Sequence, residues 1–188
     1  MLELLKARAA ELRAAGSRHR LLGPDTIYVG MVQSGNFFNT LPTSCRIWGT
    51  RRWSPGITYA EVEAEFAGLA KQVEGETGVN VEVDLDFVGD PSQVDEDAPI
   101  VRLLQGVHQD LTAQPWPAMG MLVLADAWIF NNIGGVPTTY YSADGRRAHA
   151  TPEYVPLDEV MRAARAYALT ALRFAGYETS EVSETSEV

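Results

Sequence analysis

Residues 79–87, VNVEVDLDF, alternate without a break: Val79, Val81, Val83, Leu85 and Phe87 on one side, Asn80, Glu82, Asp84 and Asp86 on the other. Side chains of a strand point to opposite faces with period two, so the pattern predicts a strand with one buried and one wet face. Such a strand needs neighbours for its backbone groups and a second layer over its apolar side. The residues before it offer candidates for both.

Leu2, Leu5, Ala9 and Leu12 recur at helical spacing, and Gly16 supplies a stop. DTIYVGMVQ (25–33) and SCRIWGTRRW (44–53) read as strands, joined by the turn-rich SGNFFNTLP. Thr58 and Glu61 then form a capping box, with Ile57 and Val62 placed as its hydrophobic staple. Val62, Phe66, Leu69 and Val73 make one apolar face of the helix that follows. The order is αββαβ. A ferredoxin-like sandwich is βαββαβ, so this half reads as that sandwich lacking its first strand. The expectation is an antiparallel sheet of three strands with two helices on one face.

The polar run GDPSQVDEDAP (89–99) marks a boundary. Beyond it, Ile100, Leu103, Leu104, Val107 and Leu111 predict a helix, and GVPTTYY (135–141) a buried strand. Val160, Ala164, Tyr167, Ala168 and Ala171 line one face of a last helix ending at Gly176. The expected division is a partial sandwich domain at 1–90, a linker at 91–99, a second α/β part at 100–176 and a disordered acidic tail at 177–188. The second part is thin for an independent core. An exposed apolar patch is expected there around Leu122, Leu124, Ile129, Val136 and Tyr140.

Charge narrows the partners. Fifteen basic and 25 acidic side chains leave a net −10, which repels phosphate backbones and anionic lipid, so neither nucleic acid nor a membrane is expected. No apolar run approaches the roughly 20 residues that span a bilayer, and the charged N-terminus does not read as a signal peptide. The single Cys45 excludes an internal disulfide and a cysteine-based zinc cluster, and the chain reads as cytoplasmic.

The sequence contains no G-x-S-x-G elbow, phosphate-binding glycine loop or CxxC pair. His149, in the loop RRAHATPEYV (146–155), is either a metal ligand or a solvated loop residue, because no second ligand stands at the usual spacing. His19 and His108 lie in charged or polar helical contexts and are weaker candidates.

Three segments, taken in order, resemble the acetylornithine deacetylase / succinyl-diaminopimelate desuccinylase family of dinuclear zinc amidohydrolases and metallopeptidases. Residues 30–66 resemble its lid, with Gly35, then Asn39 and Pro42, then Arg52 and Pro55-Gly56. LADAWIFNNIGGVPTTYY (124–141) is similar to its Asp-Ala and Gly-x-Pro strand region, and AHATPEYVPLDEV (148–160) to its closing motif. The resemblance implies that 1–90 is most of a lid or dimerisation domain, and 100–176 the C-terminal part of a zinc-peptidase α/β sandwich. It implies His149 as a ligand to one of two zinc ions, and Asn39 and Arg52 as substrate-binding lid groups. A bland role stands beside each: Asn39 holds its turn, and Arg52 pairs with an acid on the lid.

The family's His-x-Asp motif, bridging aspartate and Glu-Glu pair have no counterpart here, so no catalytic residue is expected within this chain. The implied reaction is hydrolysis of the amide bond of N-acyl amino acids or small peptides. In it, two metals polarise the carbonyl and generate hydroxide while a glutamate shuttles the proton. The implied partners are a second copy, through the lid, or a complementary chain bearing the N-terminal half. The alternative is a non-catalytic dimerisation or binding module derived from such an enzyme.

Overall fold

The computed structural model describes residues 1–121, 123–143, 145–148 and 150–177. The fold is mixed α/β, and the chain divides into two compact units. The first comprises Met1–Ser92 with Met119–Trp128; the second comprises Gln93–Ala118 and the residues from Ile129 onward. Among the described residues no helix is long and apolar enough to cross a membrane.

The first unit opens with α1 (Leu2–Ala15), which buries Leu5, Ala9 and Leu12 and stops at Gly16, whose φ is +75°. Two strands follow, β1 (Thr26–Ser34) and β2 (Cys45–Arg52), paired antiparallel from Thr26↔Arg52 to Ser34↔Cys45. Gly30 has no partner across the ladder, and the register shifts there by one residue. Opposite this bulge stands Gly49, where an added Cβ would lie 2.2 Å from the Tyr28 carbonyl oxygen; only glycine fits. Helix α2 (Tyr59–Thr77) begins at the capping box predicted from Thr58 and Glu61, with both reciprocal bonds formed. Its buried residues Val62, Ala70 and Val73 lie on the predicted face.

Residues 79–87 depart from expectation. They run beside α2, with the Val81 amide donating to Glu74 Oε1 (3.0 Å) and the Tyr59 hydroxyl donating to the Leu85 carbonyl (2.7 Å). They join no ladder, so the sheet has two strands rather than three. The reason is topological. In a split βαβ arrangement the last strand pairs with the first, which lies between it and the hairpin. Among the described residues no strand pairs with 79–87, and their backbone bonds go to side chains of α2 instead.

The two helices of the first unit are tied to the hairpin by buried charge. Arg51 donates from Nε to Glu65 Oε2 at 2.9 Å, and its Nη2 lies 3.9 Å from Asp25 Oδ2. Glu65 also accepts from Arg8 of α1, a pairing that holds the Arg8 guanidinium above its ordinary pKa. Asp25 Oδ1 accepts from the Ser54 amide (2.9 Å) and hydroxyl (2.6 Å), closing the open end of the hairpin.

The second unit packs α3 (Pro99–Thr112) against α4 (Leu157–Phe174) around Leu104, Val107, Tyr141, Ala163 and Ala166. Val107 is wholly buried, a contribution of about 2 kcal/mol. Two further expectations are corrected here. Residues 135–141 are not a strand: Asn131, from a single π-helical turn (Ile129–Ile133), holds them irregular through paired bonds with Thr138. The face of α4 that packs inward is Ala163–Ala166, not Val160–Tyr167–Ala171; Tyr167 is 57% exposed. Small alanines let α3 and α4 approach closely, and that contact outweighs the larger apolar area of the other face. Of the expected apolar patch, Leu124, Ile129, Val136 and Tyr140 are exposed, and Leu122 lies outside the described residues. The acidic tail, beyond Tyr177, is also outside them.

Glu65→Ala leaves the Arg51 guanidinium, 6% exposed, buried without its strongest partner. The expected loss is about 3–5 kcal/mol in urea denaturation. Arg102→Ala, which breaks an exposed pair with Asp97, is expected to cost under about 0.5 kcal/mol in the same assay.

Candidate functional site: the lid hairpin and a buried histidine cluster

The turn between β1 and β2, residues 35–44, carries Asn39 at the end of the hairpin remote from both helices. Its base is closed by the Ser34 hydroxyl, which donates to the Ser44 carbonyl (3.1 Å), and by Gly35 packed under Pro42. Gly35 has φ +67°, a conformation side chains rarely adopt. Asn39 is exposed, and beside it Phe37 and Phe38 stack with ring centroids 4.6 Å apart. Phe38 is 92% exposed, so the tip presents apolar surface and an amide together.

Arg52 is exposed at the opposite end of β2, paired across the ladder with Thr26. From Cys45, the first residue after the turn, to Arg52 the strand takes seven steps, about 23 Å at 3.3 Å per residue. The structure therefore does not bring Asn39 and Arg52 together within one copy. The neighbouring Arg51 is committed to the buried ion network.

His149 lies outside the described residues. Among the described residues next to it in sequence, Ala148 N–H donates to the Gly145 carbonyl (3.0 Å) and Arg147 lies 4.9 Å over the Tyr154 ring. Among the described residues no three His, Cys, Asp or Glu side chains converge as a metal site would require. Those residues do not furnish a zinc centre.

The second unit holds a titratable cluster around His108, one of the two weaker candidates. His108, 3% exposed, shares a 2.7 Å hydrogen bond between Nδ1 and the Tyr141 hydroxyl, and Trp116 packs 4.3 Å from its ring. The Tyr167 hydroxyl donates to the Tyr141 carbonyl, and Arg162 pairs with Glu159 nearby on α4. Burial, reinforced by the Arg162 charge, pushes the His108 pKa below its usual range; burial pushes the Tyr141 hydroxyl up. The signal was present in the sequence. His108 follows Val101, Leu104 and Val107 on the apolar face of α3, at helical spacing.

With this geometry in view, likeness to known proteins is informative. Residues 1–78, from α1 to the glycine that ends α2, match the family model described as the peptidase dimerisation domain. The chain also resembles the crystal structure of an M20 family metallo-carboxypeptidase from Sulfolobus solfataricus, with TM-score 0.62 and 17% identity. The likeness covers 89% of this chain and 43% of that one. It establishes the fold. The chain spans less than half the length of that enzyme. No curated protein matches the chain significantly.

A buried histidine with a depressed pKa makes a signed prediction. Below about pH 6.5 the unfolded chain takes up a proton that folded His108 refuses, so stability falls as pH drops through that range. Urea midpoints at pH 7.5 and 5.0 are expected to differ less for His108→Gln than for the unsubstituted chain; equal differences would remove His108 from the account.

Proposed function

We propose that this chain is the lid and C-terminal portion of a zinc-dependent amidohydrolase or metallopeptidase, cleaving the amide bond of N-acyl amino acids or small peptides. The observation that carries the reading is the match of residues 1–78 to a peptidase dimerisation domain, followed by a second unit that the carboxypeptidase likeness also covers. The finer assignment, to deacetylase- or desuccinylase-like chemistry in the cytoplasm, rests on the ordered motifs around Asn39, Arg52 and His149. His149 would be one zinc ligand of a set completed by residues outside this chain, because a catalytic zinc needs at least three protein ligands.

Asn39 and Arg52 take complementary parts. An amide donor suits a carbonyl oxygen that gains charge during attack, and a guanidinium fork matches a substrate carboxylate. Their separation along the hairpin implies that they serve different sites when two copies associate through the lid. The exposed turn, with Asn39 and Phe38 at its tip, suits such a reach.

A second reading, a non-catalytic dimerisation module, is favoured by the confinement of the family match to residues 1–78. Coexpression with a polypeptide bearing the His-x-Asp and Glu-Glu elements separates the two readings. The enzyme reading expects the pair to bind zinc and hydrolyse N-acyl amino acids, while this chain alone does neither. Activity is expected to vanish with His149→Ala and to fall by about 100-fold with Asn39→Ala. A dimeric chain that gains neither zinc nor activity with such a partner is the outcome expected of the module.

A further inference from the structure

We propose that His108 and Tyr141 form a proton-operated latch: neutral His108 holds residues 135–141 against α3 and α4, and protonation releases them. The inference does not depend on the catalytic reading. It rests on two side chains that the second unit itself buries, each 3% exposed. The donors set the direction of the network. Arg162 hydrogen-bonds the Tyr141 hydroxyl, and a guanidinium can only donate. The hydroxyl oxygen therefore accepts from Arg162 and its own proton bonds His108 Nδ1, 2.7 Å away. His108 is thus the neutral tautomer with its proton on Nε2. Glu159 in turn holds Arg162.

Tyr141 is where the irregular segment 135–141 meets the core. Its ring centroid lies 5.6 Å from that of His108 and 5.2 Å from that of Trp116, and its carbonyl accepts from the Tyr167 hydroxyl. Upstream, the segment is shaped by the Asn131–Thr138 bonds and by the Val136 amide donating to the Phe130 carbonyl (2.9 Å). These join residues no more than seven positions apart, and Val136 is exposed. A loop bonded only to itself does not outlast its anchor, since ordering each residue costs about 1–2 kcal/mol.

A proton on Nδ1 turns that acceptor into a donor. The Tyr141 oxygen must then accept from both Arg162 and His108, and its own hydrogen loses its partner in a buried site. Imidazolium and guanidinium also face one oxygen, with Glu159 on α4 as the carboxylate that offsets them. The other groups around His108 do not help. Tyr167 bonds the backbone of Tyr141, Asp110 on α3 is paired with Arg173, and Trp116 brings no charge. The conflict ends when Tyr141 leaves and uncovers His108 to water. Leu104, Val107, Ala163 and Ala166 still hold α3 to α4.

Native-state amide hydrogen exchange of the full chain, followed in low urea, tests the latch. With an ordinary histidine pKa of about 6.5 in the open form, lowering the pH from about 7.5 to about 5.5 multiplies the open population by about 10. The Val136 and Thr138 amides are expected to exchange about 10-fold faster, after correction for intrinsic rates, through an opening that urea does not promote. Amides of α3 and α4 beside Val107 and Ala166 are expected to stay better protected and to exchange only through urea-dependent unfolding. His108→Gln is expected to abolish the 10-fold step. Nitrogen NMR of the histidine rings needs no variant, and His108 is expected there as the neutral Nε2–H tautomer at both pH values. Exchange of Val136 and Thr138 in step with α3 and α4 overturns the proposal, because release is then global unfolding. So does an Nδ1–H tautomer, a rate at Val136 and Thr138 that ignores pH, or a 10-fold step that survives His108→Gln.

Discussion

Arg51 organises the first unit. Its guanidinium is buried between the hairpin and α2, bonded to Glu65 and facing Asp25. A buried charge of this kind is costly unless its partners are held in place, so it dictates where α1, α2 and the start of β1 sit. Glu65 accepts from both Arg51 and Arg8, and therefore fixes two helices and one strand through a single carboxylate. Hydrophobic packing alone would let a two-stranded sheet slide under its helices; the ion network makes one placement cheaper than the others. A hairpin without such support is marginal in water.

Much of this was legible because it is local. The Thr58–Glu61 capping box, the Gly16 stop and the antiparallel hairpin each follow from residues a few positions apart. Pairing of 79–87 was not legible, because alternation fixes which way side chains point and says nothing about whether a neighbouring strand exists. The inward face of α4 misled for a related reason. Val160, Tyr167 and Ala171 carry more apolar area than Ala163 and Ala166, but the contact with α3 is decided by how closely backbones can approach. His108 sits on a readable apolar stripe, but Gln109 and Asp110 beside it give its stretch of sequence a polar look.

The candidate site was legible as residue types and not as geometry. Asn39 and Arg52 were singled out in one segment, but the strand between them places them at opposite ends of the hairpin. Sequence proximity in a β-hairpin is a poor guide to spatial proximity, since residues near in number along one strand are carried apart at 3.3 Å per step. In contrast, His108 and Tyr141, 33 positions apart, share a hydrogen bond. Burial brings distant residues together more readily than an exposed strand does.

The bulge at Gly30 divides the hairpin into two mechanical regimes. Before it, Ile27 and Val29 are half-buried, and the strand ends are anchored by the Asp25–Ser54 and Arg51–Glu65 bonds. After it, every residue from Met31 to Arg46 is exposed, with the strands held only to each other. Such an object is a cantilever: clamped at its root, it bends most at its free end, and the bending amplitude grows with the length of the unsupported arm. Phe37, Phe38 and Asn39 ride at that free end. Their position relative to the helices is thus set less by local contacts than by the stiffness of the two-stranded arm behind them.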